Sequence, residues 1–134
     1  MINKILIASD GSSSADKAAD LAINIASKYN AKLAALYIFD PMEMSYDDGD
    51  DEGGAVLDKI TSKGNEYNVT VIEHIISANP ISDFKVMISK INPDLIVIAS
   101  HGKTYDEKPY NDSQLGSVAL KVLEVSNVPV IISK

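Results

Sequence analysis

The chain has no cysteine and no arginine among its 134 residues. Without cysteine there is no disulfide framework and no thiolate to serve as nucleophile or soft metal ligand. All 12 basic residues are lysines, so neither a planar bidentate clamp for phosphate nor an arginine finger is available. No apolar run approaches the roughly 18 residues that a membrane-spanning helix needs. Met1 to Ala8 turns polar too soon for a secretory signal, which makes the cytoplasm the expected compartment. A surplus of positive charge is also missing. Seven of the 19 acidic residues lie between Asp40 and Glu52, and the other 12 acids match the 12 lysines. The net charge of −7 is therefore one acidic segment on a neutral body. Neither nucleic acid nor an anionic membrane is expected as a partner.

What is present is an alternation of apolar runs and helical patterns. The length suits one domain, residues 1–134, burying roughly 65–70% of the unfolded chain's surface. Ile5 to Ala8, Ala31 to Phe39, Val69 to Ile76, Leu95 to Ala99 and Val128 to Ile132 read as five strands. Ser13 and Asp16 have the spacing of a capping box in its weaker acidic form. Ala15, Ala18, Ala19, Ala22, Ile25, Ala26 and Tyr29 then mark one face of a first helix, ended by Asn30. Asp40 to Gly54, rich in acid and glycine, is expected to be a solvated loop without periodicity. A short, weak helix from Ala55 to Tyr67 follows, ended by Asn68. Asn79-Pro80 reads as a cap and first-turn proline for a third helix, with Ile81, Phe84, Ile88 and Ile91 buried and Asn92-Pro93-Asp94 as its stop. Leu115, Val118, Ala119, Val122 and Leu123 mark the fourth, ended by Asn127.

The β-α-β-α-β-α-β-α-β order predicts an α/β fold: a single five-stranded parallel sheet with helices on both faces. Strands that are apolar throughout agree with a sheet covered on both sides. Strand orders 3-2-1-4-5 and 2-1-3-4-5 both satisfy right-handed crossovers. In such sheets ligands sit beyond the carboxyl ends of strands where the order reverses. In order 3-2-1-4-5 that point lies between strands 1 and 4. Those strands end in Asp10-Gly11-Ser12 and Ser100-His101-Gly102, the most polar, glycine-bearing strand ends in the chain. Gly116-Ser117 then opens the fourth helix. A strand, a glycine turn, a loop and a helix start aim backbone N–H groups and the positive helix end at one point, which suits a phosphate.

These residues resemble the universal stress protein family. Ile5-Leu-Ile-Ala-Ser-Asp-Gly-Ser12 is similar to its opening strand and turn, and Leu36-Tyr-Ile38 to its second strand end. Ser100-His101-Gly102, Leu115-Gly116-Ser117-Val118-Ala119 and Val128-Pro129-Val130 resemble its C-terminal block. The resemblance implies a Rossmann-like, adenine nucleotide alpha hydrolase-like sheet of order 3-2-1-4-5. It further implies a module that binds ATP or ADP, with Mg2+ on the phosphates, and acts in stress response or regulation. Nucleotide-binding members carry Gly-x2-Gly-x9-Gly-Ser/Thr. Here Ala99 stands at the first glycine, Gly102 at the second, and Gly116-Ser117 at the last pair; thirteen residues, not nine, separate Gly102 from Gly116. The extra length lies in Lys103 to Ser113. By this resemblance Asp10 would sit by the ribose, with Ala8, Ser9 and Ile38 by the adenine. Gly102, Gly116 and Ser117 would hold phosphates, and Ala99, His101 and Lys103 complete the candidate site. The family also implies a homodimer through the last strand, an apolar sheet edge. The altered glycine and longer loop favour an alternative, a dimeric interaction module of the same fold that binds no nucleotide.

Other chemistries fit less well. Gly102-Lys103-Thr104 looks like the tail of a P-loop, but position 97 is Val97 where that motif needs glycine. His101 has neither cysteine nor carboxylate at a fixed spacing, so a strand-end imidazole bonded to backbone is expected. His74, on an alternating strand, reads as structural. Asp47-Asp48-Gly49-Asp50-Asp51-Glu52 lacks the spacing of an EF-hand loop. Tyr105 and Tyr110 could stack on a base. A phospho-receiver needs an acceptor aspartate after strand 3, where Ile76-Ser77-Ala78 stands. No general base is evident, so ATP hydrolysis would be slow at best.

Overall fold

A computed structural model describes residues 1–107 and 114–134. The elements run β1 (Lys4–Ala8), α1 (Ser13–Tyr29), β2 (Lys32–Phe39), α2 (Tyr46–Glu66), β3 (Val71–Ser77), α3 (Phe84–Ile91), β4 (Leu95–Ala99), α4 (Lys103–Glu107), α5 (Ser117–Val125) and β5 (Val130–Ser133). The sheet is parallel with order β3-β2-β1-β4-β5, so the two-order choice resolves to 3-2-1-4-5. Strand alternation divides the core in two. Ile5, Ile7, Leu33, Ala35, Tyr37, Val97 and Ala99 pack under α1 and α2. Leu6, Ala34, Leu36 and Ile96 pack under α3 and α5. The five residues of β4 are all buried, as a central strand covered on both faces requires.

Helix α1 approaches the sheet closely because its inner face is mostly alanine: Ala15, Ala18, Ala19, Ala22 and Ala26 are buried, together with Ile23. Its cap is Ser12, whose Oγ accepts from the Ala15 N–H at 3.1 Å, one residue earlier than the Ser13 capping box. Tyr29, expected on the buried face, is exposed. Asn30 closes α1 in the left-handed conformation expected of it, and Asn92 closes α3 in the same conformation. Asn68 also has positive φ. The third helix begins later than expected. Asn79 Oδ1 accepts from both Ile81 and Ser82 N–H groups, closing a side-chain turn. The helix then starts at Phe84, which leaves Ile81 on the surface and puts Met87 in the core. In α5 only Ala119 and Val122 are buried, and Leu123 is exposed.

The largest departure is the acidic segment. Its first residues turn, but from Tyr46 onward it is helix, continuous with the weak helix expected at Ala55. Ser45 Oγ caps it by accepting from the Asp48 N–H at 3.1 Å. Asp47 and Asp48 occupy its first turn, where negative charge meets the positive helix end. The buried face reads Gly49, Gly53, Leu57, Ile60 and Gly64, a helical stripe built largely from glycine. A Cβ at Gly49 would lie 2.6 Å from Phe39 ring atoms, and one at Gly53 2.6 Å from the Tyr37 ring. The glycines let the helix backbone rest on two β2 aromatics. Lys59 pairs with Asp16 at 3.1 Å and Lys63 pairs with Asp20, joining α2 to α1.

Candidate functional site

Strand β1 pairs with β2 on one side and β4 on the other, so chain order reverses between β1 and β4. Beyond their carboxyl ends lies a cleft of about 240 Å³. Ala8, Ser9, Asp10, Ile38, Ala99, His101, Gly102, Lys103, Gly116 and Ser117 all line it. The ten residues singled out in the sequence therefore meet in one place.

The floor is apolar and faces the α3/α5 side: Ala8 and Ile38 belong with that half of the core, and Leu36, Phe84 and Ile98 join them in the lining. Pro80, from the turn after β3, also contributes. Leu36, Pro80, Phe84 and Ile98 were not picked out as site residues. The apolar pattern explained them as core, and only the topology brings the β3–α3 turn to this end of the sheet. Ala99, in place of the motif glycine, packs in the α1/α2 half of the core. Its methyl group is accommodated there rather than on the floor.

The polar wall is a network centred on Asp10. Asp10 Oδ1 accepts from the Ser12 N–H at 3.0 Å, and Oδ2 accepts from the Lys103 N–H at 2.9 Å. One carboxylate thus ties the β1 turn to the β4 turn, with lone pairs left on both oxygens for a further donor. Gly102 is required by that approach: a Cβ there would lie 2.7 Å from Asp10 Oδ2. Gly11 holds φ +81°, a left-handed conformation that favours glycine.

His101 is buried and bonded on both ring nitrogens. Nε2 is 2.7 Å from the Gln114 carbonyl and Nδ1 is 2.9 Å from Ser100 Oγ. A carbonyl only accepts, so Nε2 carries the proton and Nδ1 accepts from the Ser100 hydroxyl. The imidazole fastens the strand end to the far side of the loop, as a backbone-bonded histidine should. Tyr105 stacks on it, with ring centroids 4.0 Å apart, so its face meets this imidazole. Tyr110 lies outside the described residues.

Lys103 lines the cleft, but its ammonium pairs with Glu52 of α2. That pairing holds the Glu52 carboxyl below the usual carboxylate range, against partial desolvation. Tyr37 also faces Glu52; burial first, then the hydrogen bond and charge of Glu52, push its phenol upward. The inserted loop begins with α4, whose Asp106 accepts from the Ser13 N–H and Oγ at 2.9 Å each. It thereby supplies α1 with a second cap. Neither α4 nor its use of Asp106 had been anticipated. At the cleft's other end Gly116 is the N-cap residue of α5 and brings no side chain to it. Its N–H donates to the Ser100 carbonyl at 2.7 Å, and its carbonyl accepts from Leu120. Its φ of −68° is open to any residue, so what its lack of a side chain provides is access to the first N–H groups of α5.

The sequence model of the universal stress protein family matches residues 1–134. The chain belongs to the universal stress protein family. A universal stress protein of Methanocaldococcus jannaschii is 31% identical over 145 aligned positions, spanning all of this chain and 83% of the relative. Solved universal stress proteins share the fold. One from Archaeoglobus fulgidus, in complex with dAMP, superposes with a TM-score of 0.76 at 20% identity, covering all of this chain and 98% of that one. Another, in complex with cAMP, gives 0.75 at 22% identity, covering 98% of this chain and 95% of that one. At such identities the likeness is one of fold. Among the described residues of this universal stress protein, no helix is long and apolar enough to cross a membrane.

Proposed function

We propose that this universal stress protein binds an adenine nucleotide, ATP or ADP, in the cleft between the Asp10 turn and the Gly102–Ser117 segment, and acts as a regulatory module in the cytoplasm. The observation that carries this is the meeting of three things at the strand-order reversal: an apolar floor, a carboxylate with spare lone pairs, and a helix N-terminus with no side-chain cap. The base would lie on the floor by Ala8, Ser9 and Ile38. The ribose hydroxyls would donate to Asp10. The phosphates would meet the α5 N–H groups, Gly116 and Ser117, with Mg2+ accompanying them as counter-ion. Relatives of the same fold in complex with dAMP and cAMP support the ligand class.

Calorimetry with millimolar ATP, ADP and adenosine in the presence of Mg2+ tests it. Gly116→Val should abolish binding by filling the approach to the helix end. Ser117→Ala should weaken it by about 0.5–1.5 kcal/mol. Asp10→Ala should affect ATP and adenosine alike. No heat in the wild type and in a variant with the Lys103–Ser113 loop shortened by about four residues, closer to the family's spacing, would favour a closed pocket. The protein would then be an interaction module. The β5 edge favours such a role in either case. β5 pairs with β4, and its four residues are all partly exposed; an apolar edge of this kind is a pairing template for a second copy.

A further inference from the structure

Lys103 is the basic side chain in the described lining of the cleft, and Asp10 the acidic one. Its backbone is fixed at the site by the bond to Asp10. Its ammonium leaves the cleft for Glu52, a residue outside the lining. The stem runs beside the Gly11 turn, where a Cβ would come within 3.9 Å of Lys103 Cε. Glu52 is brought there by its neighbour Gly53, whose lack of a side chain seats α2 on the Tyr37 ring. With no arginine in the chain, Lys103 is the flexible cation that the described lining offers to a phosphate, and the acidic helix holds it.

We propose that Glu52 competes with the phosphates of a bound nucleotide for Lys103, so that affinity depends on phosphate charge through this one exchange. The inference rests on the nucleotide proposal above. Both partners are part-exposed, 45% and 34% in their side chains, and a pair of that kind is weak enough to be exchanged. A triphosphate offers Lys103 more negative charge than a monophosphate, and adenosine offers none. Loss of the Glu52 charge should therefore help ATP most, AMP least and adenosine not at all. Phosphate binding would in turn free the Glu52 carboxylate on α2, a change of surface charge that a partner could read.

The test is calorimetry at fixed ionic strength on wild type, Glu52→Gln, Lys103→Met and the double variant, each titrated with adenosine, AMP and ATP. Asp51→Asn serves as a control of equal charge change on the same helix. Circular dichroism confirms the fold of each. Glu52→Gln should tighten ATP by about two- to fivefold and AMP by less, with adenosine unchanged. The gain should vanish in the double variant, and Asp51→Asn should give none of it. If ATP is unchanged by Glu52→Gln, or the gain persists without Lys103, or Asp51→Asn reproduces it, competition for Lys103 is refuted while nucleotide binding stands. If adenosine, AMP and ATP all fail to bind every variant, the nucleotide proposal itself falls and takes this inference with it.

Discussion

Helix α2 contains a sharp contrast between adjacent glycines. Gly53 faces the sheet, and a Cβ there would meet Tyr37 ring atoms at 2.6 and 3.1 Å. Gly54 faces outward, with nothing within 4 Å of where a Cβ would stand. Replacing a helical glycine by alanine removes backbone freedom from the unfolded chain and stabilises by about 0.5–1 kcal/mol. Gly54→Ala should show that gain in full, raising Tm by about 2–5 °C. Gly53→Ala has the same gain, set against overpacking. The Tyr37 ring is 4% exposed and so has little room to yield; the cost should be about 1–3 kcal/mol. Because propensity cancels between the neighbours, the difference between the two variants reads overpacking directly. Gly49→Ala should behave like Gly53→Ala, since the Phe39 ring is 5% exposed and a Cβ would lie 2.6 Å from three of its atoms. Urea and thermal melts followed by circular dichroism supply the numbers, with an unchanged urea m-value as the check that only stability moved. If Gly53→Ala stabilises as much as Gly54→Ala, the close seating of α2 on β2 is wrong, and with it the placement of Glu52.

Asp106→Ala should lower stability by about 1 kcal/mol through loss of the cap on α1; a thermal melt equal to wild type would mean α4 does not hold Ser13. Asp94 accepts from the Asn3 and Lys4 N–H groups at 2.8 and 3.0 Å, and these bonds lower its pKa. A carboxylate depressed by folding stabilises above its ordinary value, near about pH 4. That contribution is lost as pH falls through the folded pKa. The Tm of Asp94→Asn should accordingly fall less steeply than that of wild type below that pH, and parallel curves would contradict it. Sedimentation equilibrium should report a dimer at micromolar concentration through the β5 edge; a monomer at high micromolar concentration would count against that pairing.

Much of the fold was legible because the central strands had to be apolar on both faces, and Leu95 to Ala99 states this in five residues, whereas β3 at the sheet edge carries Glu73 and His74. The asparagines that end helices were legible for a local reason: Asn30 and Asn92 tolerate the left-handed conformation that stops a helix. The N-terminal half of α2 was not. Its inner face is made of glycine, which carries no hydropathic signal, and the rings that call for glycine sit on β2. Only the assembled sheet shows why Gly49, Gly53, Leu57, Ile60 and Gly64 form one stripe. Asp106 is likewise a cap in space, 93 residues from the Ser13 it serves. The Asp10 turn, the His101-Gly102 turn and Gly116-Ser117, by contrast, lay at strand ends and at a helix start, where chain order and glycine placement already brought them together; Ala8, Ser9, Ile38 and Ala99 were supplied by the resemblance to the family.

Ala99 and the described start of the longer loop fall on the same side of the cleft. Ala99 directs its methyl into the core beneath α1 and α2. The longer loop opens with α4, which is tied to that side twice, by Lys103 to Glu52 of α2 and by Asp106 to Ser13 of α1. The opposite side, with Ala8, Leu36, Ile38, Phe84 and Ile98, keeps an apolar floor. If a nucleotide occupies the cleft as proposed, Ala99 and α4 would bear on its phosphate end. Adenosine affinity should then respond little to shortening the Lys103–Ser113 loop, whereas ATP affinity should respond strongly. The loop variant separates the two ends of the site: equal changes for adenosine and ATP would mean that the insertion blocks the whole cleft rather than tuning its charged half.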